Sequence, residues 1–180
     1  NTHHSFNTVD ERFKDFAIIL SSATKTFNIA GTKNSFAIIQ NPQLRDAFKR
    51  VQLANNQHEV PTLGMITTET AFTYGKPWLE ELKSVIEENI TYVVDYLREN
   101  TNIKVMKPEG TYLIWLDFSA YGIQQPQLNE KLQKEARVVL NDGEHFGEEG
   151  KTFARLNVAA PLETIKEATM RIADTFGKIN

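Results

Sequence analysis

A long run of apolar residues at helical spacing constrains the fold more than any other feature of this sequence. After Lys76-Pro77, residues Leu79, Leu82, Val85, Ile86, Ile90, Val93, Val94 and Leu97 recur every three or four positions. The spacing predicts an amphipathic helix of about five turns with one apolar stripe. Glu80, Glu81, Lys83, Glu87 and Arg98 fill the opposite face. Such a helix needs a second layer to cover its stripe, and the residues that follow must supply much of it.

They read as that layer. Ile103-Lys104-Val105 is a short strand, and Pro108-Glu109-Gly110-Thr111 carries turn chemistry. Tyr112 to Phe118 is an apolar strand expected at the centre of a small sheet. Residues 126–136 form a short helix with Leu128, Leu132 and Ala136 inward. Val138-Val139-Leu140 reads as a strand, Gly143 to Gly150 as a glycine-punctuated loop, and Phe153 to Val158 as the last strand. Pro161 opens a terminal helix with Leu162, Ile165, Ala168, Ile172, Ala173 and Phe176 on one face. The order β-β-α-β-β-α describes a compact α+β domain.

The earlier residues differ. Residues 1–14 are polar, a loop or a short helix. Phe16 to Leu20 and Phe36 to Ile39 read as two buried strands. Asn41-Pro42 opens a helix, with Asn as N-cap and Pro at the first helical position. Leu44, Ala47, Phe48 and Val51 give that helix one packed face, and Asn55-Asn56 ends it. Pro61 starts another helix that runs to Tyr74 and Gly75. The overall expectation is an α/β chain: residues 1–60 end a larger, mostly parallel-sheet domain, and residues 61–180 form a small α+β domain.

Composition narrows the function. The chain is 41% hydrophobic and 24% charged, with a net charge of −3. No cluster of Lys and Arg interleaves with aromatics, so nucleic acid is not an expected partner. No apolar run approaches the ~20 residues of a membrane span. There is no cysteine, hence no disulfide or thiolate metal site, and a cytoplasmic location is expected. His3-His4 has no carboxylate at ligand spacing, and adjacent histidines on an irregular segment diverge, so no metal is expected.

Two residues carry candidate chemistry. Lys25 lies in Ser22-Ala-Thr-Lys-Thr-Phe-Asn-Ile-Ala-Gly31, between the two strand-like runs, and loops at strand ends are where rigid scaffolds present reactive groups. Arg155 interrupts an apolar strand and needs a partner if buried, such as Glu144 or Glu148. His145 sits in a glycine-flanked loop close in sequence to Arg155, and Asp117 reads as structural.

These segments resemble the fold-type I pyridoxal-phosphate enzymes of the class I/II aminotransferase superfamily. The branch they look most like contains the cystathionine β-lyase-type carbon–sulfur lyases. Small hydroxyl residues precede the cofactor lysine there, and an Asn-Ile-Ala-Gly turn follows it. The resemblance implies that Lys25 is catalytic and binds pyridoxal 5′-phosphate. It also implies that Ser22 and Lys33 contact the phosphate, with Lys33 standing where many aminotransferases carry an arginine. Arg155, in Arg-Leu-Asn-Val-Ala-Ala-Pro161, is similar to the arginine that grips the substrate carboxylate.

The implied activity is carbon–sulfur β-elimination on cystathionine-like amino acids. An aminotransferase is the alternative, and a non-catalytic relative acting as a binding or regulatory domain is a third. The implied assembly is a homodimer. In register with the family, residue 1 falls partway through the large domain. The aspartate at the pyridine nitrogen, the ring-stacking aromatic and the glycine-rich phosphate loop would then precede it. A carboxy-terminal fragment, inactive alone, is therefore expected.

Overall fold

The computed structural model describes residues 3–179, which divide into two compact units, one ending at Glu81 and the other beginning at Leu82. The division falls later than the 60/61 boundary drawn from the sequence. The helix after Pro61 explains this, because it is bonded to residues near Asn34 in the first unit.

In the first unit, a single helical turn α1 (Phe6–Val9) precedes a hairpin-like pair, β1 (Ile19–Ser21) and β2 (Phe36–Ile38). The strands run antiparallel, with Ile19 opposite Ile38 and Ser21 opposite Phe36. The sequence expects both strands to be buried. The observed pair is antiparallel and largely uncovered, with Leu20 70% and Ile38 45% exposed. Helix α2 (Pro42–Ala54) begins as its sequence requires, the Asn41 side chain accepting from the N–H groups of Gln43 and Leu44. Asn41 Nδ2 also donates to the Asp15 carbonyl at 2.6 Å, which ties the start of this helix to the segment before β1. Helix α3 (Thr62–Tyr74) follows.

The second unit takes most of α4 (Lys76–Asn100) and packs it on a four-stranded antiparallel sheet of order β3-β4-β6-β5. The strands are β3 (Lys104–Met106), β4 (Leu113–Asp117), β5 (Asn141–Asp142) and β6 (Phe153–Asn157), with α5 (Gln127–Lys134) and α6 (Leu162–Thr175) completing the layer. β4 and β6 are central, as expected of the apolar strand. Side chains alternate across a strand, so Ile114, Leu116, Ala154 and Leu156 enter the core. They meet Ile90, Val93, Val94 and Leu97 of α4 and Ile165 and Ile172 of α6. Burying each large side chain contributes roughly 1.5–3 kcal/mol. The expected strand at 138–140 is absent: Val138 and Leu140 pack against the core, and pairing begins only at Asn141.

Two polar side chains, Asn89 of α4 and Thr169 of α6, have no exposure in this unit. Asn89 of α4 donates from Nδ2 to the carbonyls of Val158 at 2.8 Å and Ala160 at 2.9 Å. It thereby fixes the turn that leaves β6, while its Oδ1 stays buried without a partner.

Candidate functional site

Lys25 lies in the connection from β1 to β2, and its loop is held at three points. Ala23, two residues before it, is wholly buried. The Phe27 N–H donates to the Ala23 carbonyl and the Ile29 N–H to the Thr24 carbonyl, closing a helical turn around the lysine. The Phe27 ring then packs against Phe72 and Trp78 at centroid distances of 6.0 and 6.1 Å. Further on, Asn34 Nδ2 donates to the Gly64 carbonyl and to Thr68 Oγ1. A side chain at Gly64 would not fit, since a Cβ there would lie 2.7 Å from the Thr32 carbonyl oxygen. α3 can approach the loop this closely only through glycine.

The loop carries several hydrogen-bond donors. Lys25 and Lys33 are exposed, and Ser22 and Thr24 are half-buried. Asn28 and Lys33 adopt left-handed backbone, φ 54° and 49°, which turns the chain sharply after the lysine. Ser22 Oγ and Thr24 Oγ1 lie 2.6 Å apart. Only one of the two hydroxyls gives its hydrogen to that bond, so the other hydrogen is available to a ligand. Hydroxyl and ammonium donors suit a phosphate, and an exposed amine suits a carbonyl. The set fits a phosphorylated carbonyl cofactor.

Arg155 occupies β6 on the sheet face away from the core. Pairing places it opposite Trp115 on β4 and Asn141 on β5. Its Nη2 donates to Asn141 Oδ1 at 2.9 Å, and its guanidinium carbon lies 4.7 Å from the centroid of the Phe146 ring. Neither Glu144 nor Glu148 binds it, contrary to the salt bridge considered from sequence; Glu148 pairs with Lys151 instead. Asp117 accepts from the Ser119 N–H and Thr152 Oγ1 and faces Lys104 at 3.7 Å. His145 is exposed, and Tyr74 is 75% exposed.

The four sequence-derived site residues thus fall in two groups: Ser22, Lys25 and Lys33 share one loop of the first unit, and Arg155 stands in the second. The structure also brings Asn141, Phe146 and Trp115 close to Arg155, neighbours that the sequence reading did not pair with it. The period-2 pattern could have found Trp115, because residues 113, 115 and 117 share the face that Arg155 takes across the pair. An unbroken apolar run from Tyr112 to Leu116 hid that alternation.

No family model matches the chain. It is 35% identical over 171 residues to the cystathionine β-lyase PatB of Bacillus subtilis, which covers 94% of this chain and 44% of that protein. It is 33% identical over 175 residues to a cystathionine β-lyase of Corynebacterium glutamicum, covering 97% and 46%. Transaminases stand among further relatives. The fold superimposes on cystalysin from Treponema denticola, whose crystal structure contains pyridoxal 5′-phosphate, with a TM-score of 0.93 and 34% identity. That match covers 97% of this chain and 45% of cystalysin. The chain therefore spans less than half the length of the relatives it matches.

Proposed function

The chain belongs to the superfamily of fold-type I pyridoxal-phosphate enzymes that includes cystathionine β-lyases and aminotransferases, and from that membership we propose that it serves a carbon–sulfur β-lyase acting on cystathionine-like amino acids. The observation that carries the reading is the Lys25 loop: an exposed amine beside paired hydroxyls, in a turn anchored by Ala23, Phe27 and Asn34. Pyridoxal phosphate, when bound, supplies an electron sink for charge developing at the substrate's α-carbon.

This chain's own residues do the rest. Lys25 would hold the carbonyl end of the cofactor, and its amine, once freed, would take the substrate's α-proton as the Cβ–S bond breaks and could pass a proton to the departing thiolate. Ser22 donates its hydroxyl to the phosphate and Lys33 adds a compact point charge. Arg155 receives the substrate carboxylate, for which its planar fork is suited. The proposal extends to a cytoplasmic homodimer, the state the resemblance implies. No helix among the described residues is long and apolar enough to cross a membrane.

An aminotransferase using the same lysine and arginine is the second reading, favoured by the transaminases among the relatives. Borohydride reduction of the cofactor-loaded full-length protein, followed by peptide mapping, is expected to place the pyridoxyl group on Lys25. Recovery on Lys33 instead refutes the site. Thiol release from cystathionine without added keto acid supports the lyase, and keto-acid-dependent amino transfer without thiol release supports the transaminase. A full-length protein that takes up no cofactor would retire both in favour of a non-catalytic binding domain.

A further inference from the structure

Arg155 is held in an arrangement that its proposed role does not by itself require. Its Nε is buried without a partner, and Nη2 gives one hydrogen to Asn141. The guanidinium carbon lies over the Phe146 ring, 4.7 Å from its centroid. Nη1 has no partner among the described residues, so Nη1 and the remaining Nη2 hydrogen form the free edge. Phe146 is itself supported. Its ring meets Trp115 edge-on at 5.5 Å, and Trp115 stacks on Phe153 at 5.4 Å.

The backbone under Phe146 is also fixed. Gly143 and Gly150 approach so closely that a Cβ on either would collide with the other's carbonyl oxygen, at 2.3 and 2.1 Å. The Asp142 side chain accepts from the Glu144 N–H, and the Gly147 N–H donates to the Glu144 carbonyl. An aromatic ring 55% exposed on a loop closed this tightly is held out by its backbone rather than by burial.

We infer that Phe146, backed by Trp115, is a positioning residue that holds the Arg155 guanidinium in one plane, so that only the Nη1–Nη2 edge receives a carboxylate. The inference rests on the carboxylate role proposed for Arg155. A planar fork accepts two carboxylate oxygens only when its plane matches theirs. An arginine on a sheet face, with long rotatable bonds, does not keep one plane unless something covers a face. Asn141 fixes one corner of the guanidinium, and Phe146 fixes its tilt. The site this describes takes an amino-acid carboxylate edge-on, and it excludes anions from the side that Phe146 occupies.

The test uses the ¹⁵N-labelled, cofactor-loaded full-length protein and the guanidinium resonances of Arg155, with L-methionine as probe and L-methioninamide as the carboxylate-free control. In the unliganded protein, the Phe146 ring current is expected to shift the Arg155 Nε–H resonance, and rotation about Nε–Cζ is expected to be slow. Phe146→Leu should abolish the shift, speed the rotation and weaken methionine binding about two- to fivefold, the range of an exposed cation–π contact. Phe146→Tyr should restore all three. Unchanged rotation and affinity in Phe146→Leu would overturn the positioning role, even with methionine still bound by Arg155. If methionine binds no better than methioninamide, or equally well to Arg155→Gln, the carboxylate role fails and this inference fails with it. Weaker binding in Phe146→Leu that Phe146→Tyr does not restore also overturns it.

Discussion

The two units of this chain bury apolar surface very differently. From Leu82 onward, a single cluster unites α4, the sheet and α6, and Phe118, Leu97, Ile114, Leu116 and Ile172 have no exposure at all. Up to Glu81, the buried apolar residues are Ala17, Ala23 and Ile39, while Leu20, Leu63, Met65, Ile66 and Phe72 stay more than half exposed. The second unit thus has its own core. The first is held by local bonds and an aromatic cluster of Phe27, Phe36, Phe72 and Trp78. The contrast runs through the proposed chemistry as well. Arg155 stands on a strand at the centre of a filled sheet, whereas Lys25 stands on a loop whose neighbouring strands are uncovered. Helix α3 mixes threonines and Glu69 with exposed Leu63, Met65, Ile66 and Phe72 and shows no single apolar stripe.

Amide hydrogen exchange should give the largest contrast. Amides of β4 and β6 open only with the whole second unit, and those of β1 and β2 open locally. Protection is expected to differ by about a thousandfold or more, given typical domain stabilities. Equal protection in the two sheets would erase the distinction.

Substitution should show the same asymmetry. Phe118→Ala is expected to cost about 3–5 kcal/mol in chemical denaturation, through a cavity that the surrounding core cannot refill. Leu20→Ala, already mostly in water, should change stability by about 0.5 kcal/mol or less. A cost for Leu20→Ala comparable with that for Phe118→Ala would show that the first unit relies on a core of its own.

Asn89 offers a finer probe of the second unit. Asn89→Ala leaves the carbonyls of Val158 and Ala160 bare in the core, a loss of about 1–3 kcal/mol. Asn89→Asp should be worse, since it turns acceptors toward acceptors. An Asp variant as stable as wild type would mean that the turn after β6 is held by other bonds, such as Asn157 Oδ1 accepting from the Ala159 N–H.

The smallest effect concerns pH. The hydrogen bond from Lys151, then its charge, holds the Glu148 carboxyl below its usual range. A carboxyl depressed on folding favours the folded state at neutral pH, and that contribution fades as pH falls through the lowered value. Lys151→Met should therefore flatten the loss of Tm between about pH 5 and pH 3, where such carboxyls titrate. Glu148 is well exposed and Lys151 only partly covered, so solvent screens the pair and the change should be smaller than that at Asn89. An unchanged acid limb would remove this pair from the account of the loop that carries Phe146.

The helices and their starts were legible in the sequence, because 3.6-residue periodicity and capping are local properties. Asn41 at the head of α2, the stripe from Leu79 to Leu97 and the inward set of α6 each follow from a single segment. Lys25, Ser22, Lys33 and Arg155 were proposed on another ground, the resemblance of short strings of residues to a family's motifs. Partners could not. Val138-Val139-Leu140 has strand composition, yet pairing starts at Asn141, because the register with β6 is set by residues fourteen positions away. The same register gave Arg155 an asparagine in place of a glutamate and put Trp115 beside it. Burial of β1 and β2 was likewise beyond the sequence, since an apolar run states what a strand could bury and only tertiary packing states whether anything covers it. Local propensity wrote the elements; long-range pairing and close approach decided which side chains meet.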